Sequence, residues 1–321
     1  MEKENTAQDE MPLLNVIHLK QYFKVDKKNI IKAVNGITFQ IKEGETYGLV
    51  GESGSGKTTI GRSIIRIYEP SDGTVYLEGK KISGKMDEEK RRFISKRIQM
   101  IFQDPMASLN PRKKVIDIIA QGLDIHEKGL SKEERQKKVY RIMELVGLSK
   151  EHANRYPHEF SGGQRQRIGI ARAIIINPKL IIADEAISSL DVSIQAQIVN
   201  LMKNLQKELG TTYLFIAHDL AIVKYISNHI GVLHLGYLVE SGTTEEIFRN
   251  PVHPYTKSLL SAIPHPNPKI EKTRKLLDYD FEANQETYEK AREYHLEGEH
   301  YVLATEEQFN RWSDEHPAFI Y

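Results

Sequence analysis

The chain has 321 residues, 40% of them hydrophobic, enough for one large domain, or a domain with a smaller appendage, around a real core. Lys plus Arg is 45 against 44 for Asp plus Glu, so the net charge is +1 and no global field recruits nucleic acid. There is no cysteine, which excludes disulfides, thiolate zinc sites, cysteine-ligated iron–sulfur clusters and thiol catalysis.

Met1 to Glu10 is polar and acidic and lacks the apolar centre of a signal peptide; residues 1–11 read as a disordered lead-in. No run approaches the roughly 18 to 20 apolar residues of a membrane span, so a soluble protein is expected, one that other subunits must hold if it works at a membrane. Leu14 to Phe23 and Ala33 to Ile41 are apolar segments flanking a polar turn at Asp26-Lys27-Lys28-Asn29. In the first of them, Tyr22-Phe23 offers a ring that could stack on an adenine or pack as a core aromatic, and spacing alone leaves both open.

Tyr47-Gly48-Leu49-Val50 then reads as a buried strand entering Gly51-Glu52-Ser53-Gly54-Ser55-Gly56-Lys57-Thr58, which fits the phosphate-binding pattern Gly-x-x-x-x-Gly-Lys-Thr. The glycines let backbone N–H groups turn inward around a polyphosphate, the following helix points its positive end at the same place, and Lys57 bridges the terminal phosphates. Thr58 supplies a hydroxyl to magnesium. A helix is expected from Thr59 to Tyr68, with Ile60, Ile64 and Ile67 on one face and Pro70 as its stop. Asp72-Gly73 signals a turn, and Thr74 to Leu77 alternates as a half-buried strand, so an antiparallel patch should wrap the nucleotide core.

Met100-Ile101-Phe102-Gln103 is a short apolar run broken by Asp104-Pro105; Gln103 at its end can reach the magnesium or the attacking water. Residues 106–160 read as a helical insert, with Val115, Ile116, Ile119 and Leu123 at helical spacing. A capping box at Ser131-Lys132-Glu133-Glu134 starts a further helix that Gly147 ends. Ser161-Gly162-Gly163-Gln164 opens the next helix as a second anion site or, more plainly, a Gly-Gly turn, and no lysine follows to make it a complete nucleotide site. Leu180 to Ala183 is a fully apolar strand ending in Asp184-Glu185, at the carboxyl edge where α/β sheets bind ligands. One carboxylate should hold magnesium and the other polarise the attacking water. Ser188-Ser189-Leu190-Asp191 precedes an amphipathic helix (Ile194, Ile198, Leu201, Leu205, Leu209) ended by Gly210. The strand Thr211 to Ala217 delivers His218 to the same edge, where an imidazole could touch the terminal phosphate.

In this order, the motifs resemble the ATP-binding cassette of ABC transporters from about Leu13 to Pro264. The resemblance implies an α/β P-loop NTPase with a RecA-like core, an antiparallel β subdomain, an inserted helical subdomain at about 104–165, and a C-terminal extension at 264–321 beyond a cassette at 12–263. It implies ATP and Mg2+ as ligands, with ATP held by Phe23 and by Gly51, Glu52, Ser53, Gly54, Ser55, Gly56, Lys57, Thr58 and Thr59. Thr58, Gln103 and Asp184 are the implied metal contacts, Glu185 the general base, and His218 the γ-phosphate sensor. Ser161, Gly162, Gly163, Gln164 and Asp191 would complete the site of a second cassette in a head-to-tail dimer. Ala186 departs from the family, where most relatives carry proline, which should alter loop stiffness more than chemistry.

Met100 to Arg112, Asp191 to Gln197 and Asn250-Pro251-Val252-His253-Pro254-Tyr255-Thr256 resemble the peptide-importer branch, and within it the second ATP-binding subunit of oligopeptide importers. The implied partners are a second ATPase subunit, two transmembrane permease chains and an extracellular peptide-binding protein, at the cytoplasmic face of the membrane and without nucleic acid. Dipeptide, nickel and glutathione importers share these motifs, and a soluble non-transport ATPase is the more distant alternative. Pro266 and Pro268 mark a linker to a charged tail with helical stretches expected over Asn284 to Leu296 and Thr305 to Trp312. Some relatives carry a cysteine cluster near the position of Ala304; none is present here, so no iron–sulfur cluster is expected.

Overall fold

The computed structural model describes residues 11–26, 29–264, 271, 276–280 and 288–315. The expected lead-in, Met11 apart, and the prolines at 266 and 268 lie outside these residues. From the N-terminus come β1 (Leu14–Lys24), β2 (Ile30–Ile41), β3 (Thr46–Val50), α1 (Lys57–Ile64), β4 (Asp72–Leu77), β5 (Lys80–Lys81), α2 (Glu88–Arg97) and β6 (Ile98–Ile101). Four short to medium helices follow: α3 (Pro105–Ser108), α4 (Val115–Ile119), α5 (Gln121–His126) and α6 (Lys132–Leu145). The chain then forms α7 (Gly162–Ile174), β7 (Leu180–Asp184), α8 (Val192–Leu209), β8 (Thr212–Ile216), α9 (Leu220–Ile226), β9 (His229–His234) and β10 (Tyr237–Thr243). It closes with α10 (Thr244–Arg249), α11 (Pro254–Ser261), β11 (Arg292–His295), β12 (Tyr301–Ala304) and α12 (Glu306–Glu315).

Among the described residues these strands make two sheets, an antiparallel one in the order β2-β1-β4-β5 and a larger mixed one in the order β11-β12-β10-β9-β3-β8-β7-β6. The continuous apolar runs of β7 and β8 are explained by burial on both faces. Side chains alternate across a strand, so Leu180, Ile182, Leu214 and Ile216 join the core shared with α1 and the antiparallel sheet. Their neighbours Ile181, Ala183, Tyr213 and Phe215 join the core shared with α4, α6, α7 and α8. The large sheet therefore lies between two apolar layers and fixes the height at which every loop leaves it. Among the described residues, no helix is long and apolar enough to cross a membrane.

Three expectations change. The helix after the phosphate loop ends at Ile64, not Tyr68, and Ile67 is exposed. Arg66 takes a left-handed turn, with φ of 65°, and its guanidinium is drawn to the carbonyls of Ile82 and Gly84 and to Glu69. The periodic run from Val115 to Leu123 is two helices rather than one, meeting at Ala120. Packing beyond that joint is tight: a Cβ on Gly122 would lie 2.7 Å from Ile176. In the tail, the helix expected over Asn284 to Leu296 does not run through: Tyr288 is helical, but Arg292–His295 is a strand. It pairs with β12, which in turn pairs antiparallel with β10 through Glu240 and Val302, so sheet pairing outweighs local helical preference. Residues 284–287 lie outside the described chain. The second tail helix forms as expected, capped by Thr305 and Gln308, and α6 starts in the expected capping box.

Candidate nucleotide site

The order β3-β8-β7-β6 is parallel throughout, so the carboxyl ends of four neighbouring strands open at one edge. From β3 leaves the loop Gly51–Thr58, from β8 His218, from β7 Glu185 directly after Asp184, and from β6 Gln103. Strand direction alone thus gathers residues far apart in the chain.

The loop is held against backbone on both sides. A Cβ on Gly51, whose φ is 149°, would lie 2.1 Å from the Leu233 carbonyl oxygen, and one on Gly56 2.2 Å from that of Ala33. Lys57 is buried, and its Nζ donates to the carbonyls of Gly51 and Glu52, both at 2.7 Å, and to Ser55 Oγ at 3.3 Å. Burial lowers the Lys57 pKa, opposed by the carboxylates of Glu185, Asp184 and Glu52. Beside it, Thr58 Oγ1 donates to Asp184 Oδ1 at 2.6 Å. Burial raises the Asp184 carboxyl above its ordinary value, against the bond from Thr58 and the charge of Arg62. Gln103 Nε2 donates to Glu185 Oε2 at 2.8 Å, which leaves the amide oxygen of Gln103 as the end able to face a cation. His218 and the loop residues Glu52, Ser53 and Gly54 are exposed, while Thr59 is half-buried.

The remaining expected residues stand apart from this edge in their hydrogen bonding. Phe23, on β1, is half-buried and meets Tyr68 edge-on with centroids 5.2 Å apart. Ser161 is the exposed N-cap of α7 in a reciprocal capping box with Gln164. Gly163 owes its lack of a side chain to the neighbouring helix, since a Cβ there would lie 2.6 Å from Ile194. Asp191, exposed, precedes α8 at the same junction.

Two features were not visible in the motifs. Glu185 has φ of 45°, a left-handed conformation that L residues rarely adopt and that commonly marks a functional turn. Its amide is fixed by donation to the Ile216 carbonyl at 2.9 Å, and its carbonyl accepts from Ser188 Oγ at 2.9 Å. The other is Tyr255, whose hydroxyl accepts from the Glu52 N–H at 3.0 Å. The segment Asn250 to Thr256 stands out in the sequence as a branch signature, but nothing local places it against the phosphate loop.

The donor set suits a hard divalent cation: a hydroxyl, a buried carboxylate and a side-chain amide oxygen, all oxygen, too few to fill an octahedron without phosphate and water. Among the described residues, no group of three or more His, Asp or Glu side chains is placed to hold a metal by itself.

Residues 34–188 match the family described as ABC transporter, and residues 239–287 match the oligopeptide/dipeptide transporter C-terminal region. The chain is 57% identical over 302 residues to the oligopeptide transport ATP-binding protein OppF of Bacillus subtilis (strain 168), covering 94% of this chain and 99% of that one. It is 51% identical to the dipeptide transport ATP-binding protein DppF of Lactococcus lactis subsp. cremoris (strain MG1363), over 92% of this chain and 94% of that one. Among solved structures, the ATP-binding cassette MJ0796, a dimer in a post-hydrolysis state bound to ADP and Pi, superposes with a TM-score of 0.66. It has 30% identity and covers 72% of this chain and 98% of its own. The loop, the four strand ends and these likenesses agree: the chain belongs to the ABC transporter family, in its branch of oligopeptide and dipeptide transport ATP-binding proteins.

Proposed function

We propose that this chain is the ATP-hydrolysing subunit that powers oligopeptide import, and that its chemistry is carried by the four strand ends that meet at the phosphate loop. The observation that supports this most directly is the pair of bonds from Thr58 to Asp184 and from Gln103 to Glu185. They join three separate strand ends into one acidic, oxygen-lined surface beside a buried lysine.

In this reading the loop of residues 51–59 cradles the polyphosphate, and the Lys57 ammonium, held by the carbonyls of Gly51 and Glu52, exchanges its longer bond to Ser55 Oγ for one to the terminal phosphates. Phe23 presents its ring to the adenine. Thr58, Asp184 and the amide oxygen of Gln103 would hold Mg2+, which neutralises charge on the phosphates when bound. Glu185, on its left-handed turn, accepts a proton from the attacking water. His218 at the end of β8 is the contact to the γ-phosphate.

The second half of the site comes from a neighbouring cassette. The amides of Ser161 and Gln164 are taken up in their capping box, which leaves those of Gly162 and Gly163 in the first turn of α7 for an anion, and exposed Asp191 lies at the same junction. These groups suit capping of a partner's triphosphate in a head-to-tail pair. ATP can close such a pair only insofar as the closed form binds it more tightly, and hydrolysis removes that difference.

A cleft of about 620 Å³ between the sheet and the helical insert is lined by Met86, Ile98, Phe102, Gln121, Ile125 and Arg172, among others. It begins one residue from Gln103, so a permease segment seated there would feel a change at the γ-phosphate. The partners are then a second ATPase subunit, two permease chains and an extracellular peptide-binding protein, with this chain on the cytoplasmic face. The C-terminal region at 264–321 is an extension of the 12–263 cassette whose β11 and β12 add to the edge of the large sheet. A dipeptide cargo is the second reading, favoured by the likeness to a dipeptide transport protein.

Co-reconstitution with the permease chains and the second cassette tests this. Peptide-stimulated ATP turnover and uptake should both require Lys57, and labelled tetrapeptide should be taken up in preference to dipeptide. Turnover that ignores peptide and the permease would overturn the transport reading.

A further inference from the structure

The segment after β10 bears on the phosphate loop through a chain of buried polar contacts. Glu240, fully buried on β10, accepts from the backbone N–H groups of Val252 at 2.7 Å and His253 at 3.0 Å. His253 Nδ1 accepts from the Tyr255 N–H at 3.1 Å, which caps α11 and orients its first turn. Tyr255 is fully buried, its ring lying 4.2 Å from that of His234. Its hydroxyl ends on the Glu52 N–H. The Gly51 carbonyl, in the same peptide unit as that N–H, and the Glu52 carbonyl of the next unit are the two that hold Lys57 Nζ. On the far side of the loop, the Gly236 N–H donates to the Ser55 carbonyl at 3.0 Å, so the loop is gripped at two points.

We infer that Tyr255 is a positioning residue for ATP: its hydroxyl fixes the first turn of the phosphate loop, and with it Lys57, in the conformation that receives the phosphates. Tyr255 touches no phosphate itself. It acts by raising the fraction of loops already competent to bind, and apparent affinity falls in proportion when that fraction drops. The branch signature around His253 and Tyr255 thereby acquires a role in nucleotide handling in addition to packing. This rests on residues 51–58 being the nucleotide site.

The experiment is MgATP binding by the full-length chain, with steady-state turnover in the reconstituted complex. In Tyr255→Phe the ring stays and only the hydroxyl is lost, so the dissociation constant and KM for ATP should rise about fivefold to thirtyfold, the usual cost of orphaning a donor. Turnover at saturating ATP should change by less than about twofold, since bound ATP restores the loop. Tyr288→Phe removes a hydroxyl from the same aromatic cluster, where it bonds to His234 and not to the loop, and should leave KM unchanged. Glu52→Pro removes the donor instead of the acceptor, and in that background Tyr255→Phe should have no further effect on affinity. Equal KM increases in the two Tyr→Phe variants, or a Tyr255→Phe effect undiminished in Glu52→Pro, would reduce Tyr255 to general packing and overturn the inference. If Tyr255→Phe does not fold, Glu52→Pro alone must reproduce the KM increase, and an unchanged KM there overturns it equally. Lys57→Ala serves as the separate check: ATP bound normally by that variant would remove the site itself, not the role of Tyr255.

Discussion

Replacing Glu185 by Gln removes a negative charge and a proton acceptor while keeping the size and shape of the side chain. The carbonyl oxygen of the new amide can still accept the 2.8 Å bond from Gln103, and the backbone bonds to Ile216 and Ser188 do not involve the side chain. The left-handed φ of 45° is as demanding for Gln as for Glu, so folding stability should change little. Loss of a general base costs about a hundredfold to ten-thousandfold in rate, or roughly 3 to 5 kcal/mol on the barrier. Lys57 would lose one of the three carboxylates that favour its charged form, but Asp184 and Glu52 remain, and less negative charge would face the triphosphate. ATP affinity should therefore be retained or improved. In the reconstituted complex, Glu185→Gln should bind ATP, turn over at most about one-hundredth as fast, and accumulate a closed cassette pair with trapped ATP. Turnover above about a third of wild type would remove Glu185 from the role of base, and failure to bind ATP would mean that the edge of the sheet is organised differently.

Thr58→Ala should lower turnover by at least about tenfold at fixed magnesium and leave Asp184 without its hydroxyl donor, and chelating magnesium should abolish turnover, both measurable by phosphate release. Burial pushes His253 down to about 3 and His234 to about 4, so both are neutral when folded and gain protons more readily on unfolding. Stability from these groups is then complete above pH 6.5 and falls as the solution is acidified. For His253 the loss is about 2 kcal/mol by pH 5, readable in urea midpoints and reduced in His253→Asn, whose amide oxygen can still cap α11. Glu240→Ala orphans two backbone donors and the His300 contact, and should cost about 3 kcal/mol. Because Trp312 is the single tryptophan, is only 4% exposed and packs on His253, its emission should shift to the red in that variant. Phe215→Ala, at the centre of the sheet, should cost about 3 to 5 kcal/mol in the same denaturation assay.

The parts of the structure legible in the sequence are those decided within a few residues of themselves. The phosphate loop, the apolar run of Leu180 to Ala183, the capping box at Ser131 and the αL glycine at 210 each carry their own local cause. The meeting of Asp184-Glu185 and His218 at one sheet edge could be anticipated because each ends an apolar strand, whereas the order β3, β8, β7, β6 could not. What local pattern did not reveal was settled by distant partners. Ile67 has helical spacing, yet Arg66 turns toward Ile82 and Gly84 and ends the helix three residues earlier than that spacing suggests. Arg292 to His295 reads as part of a charged helix until the edge offered by β12 is known. Tyr255 and Glu52 are joined across the sheet edge, which no periodicity reports.

The hairpin of β11 and β12 also has a consequence for biogenesis. Until it docks, the outer side of β10 offers unpaired amides and carbonyls at Glu240 and Ser241, and Val252 lacks the tail residues Leu296, Val302 and Trp312 that it packs with in the folded chain. Since the covering strand is made long after the rest of the sheet, nascent or prematurely terminated chains pass through a stage in which that row is open to a neighbour. Translation arrested between residues 264 and 301 is where sticky, mispaired polypeptides should be sought.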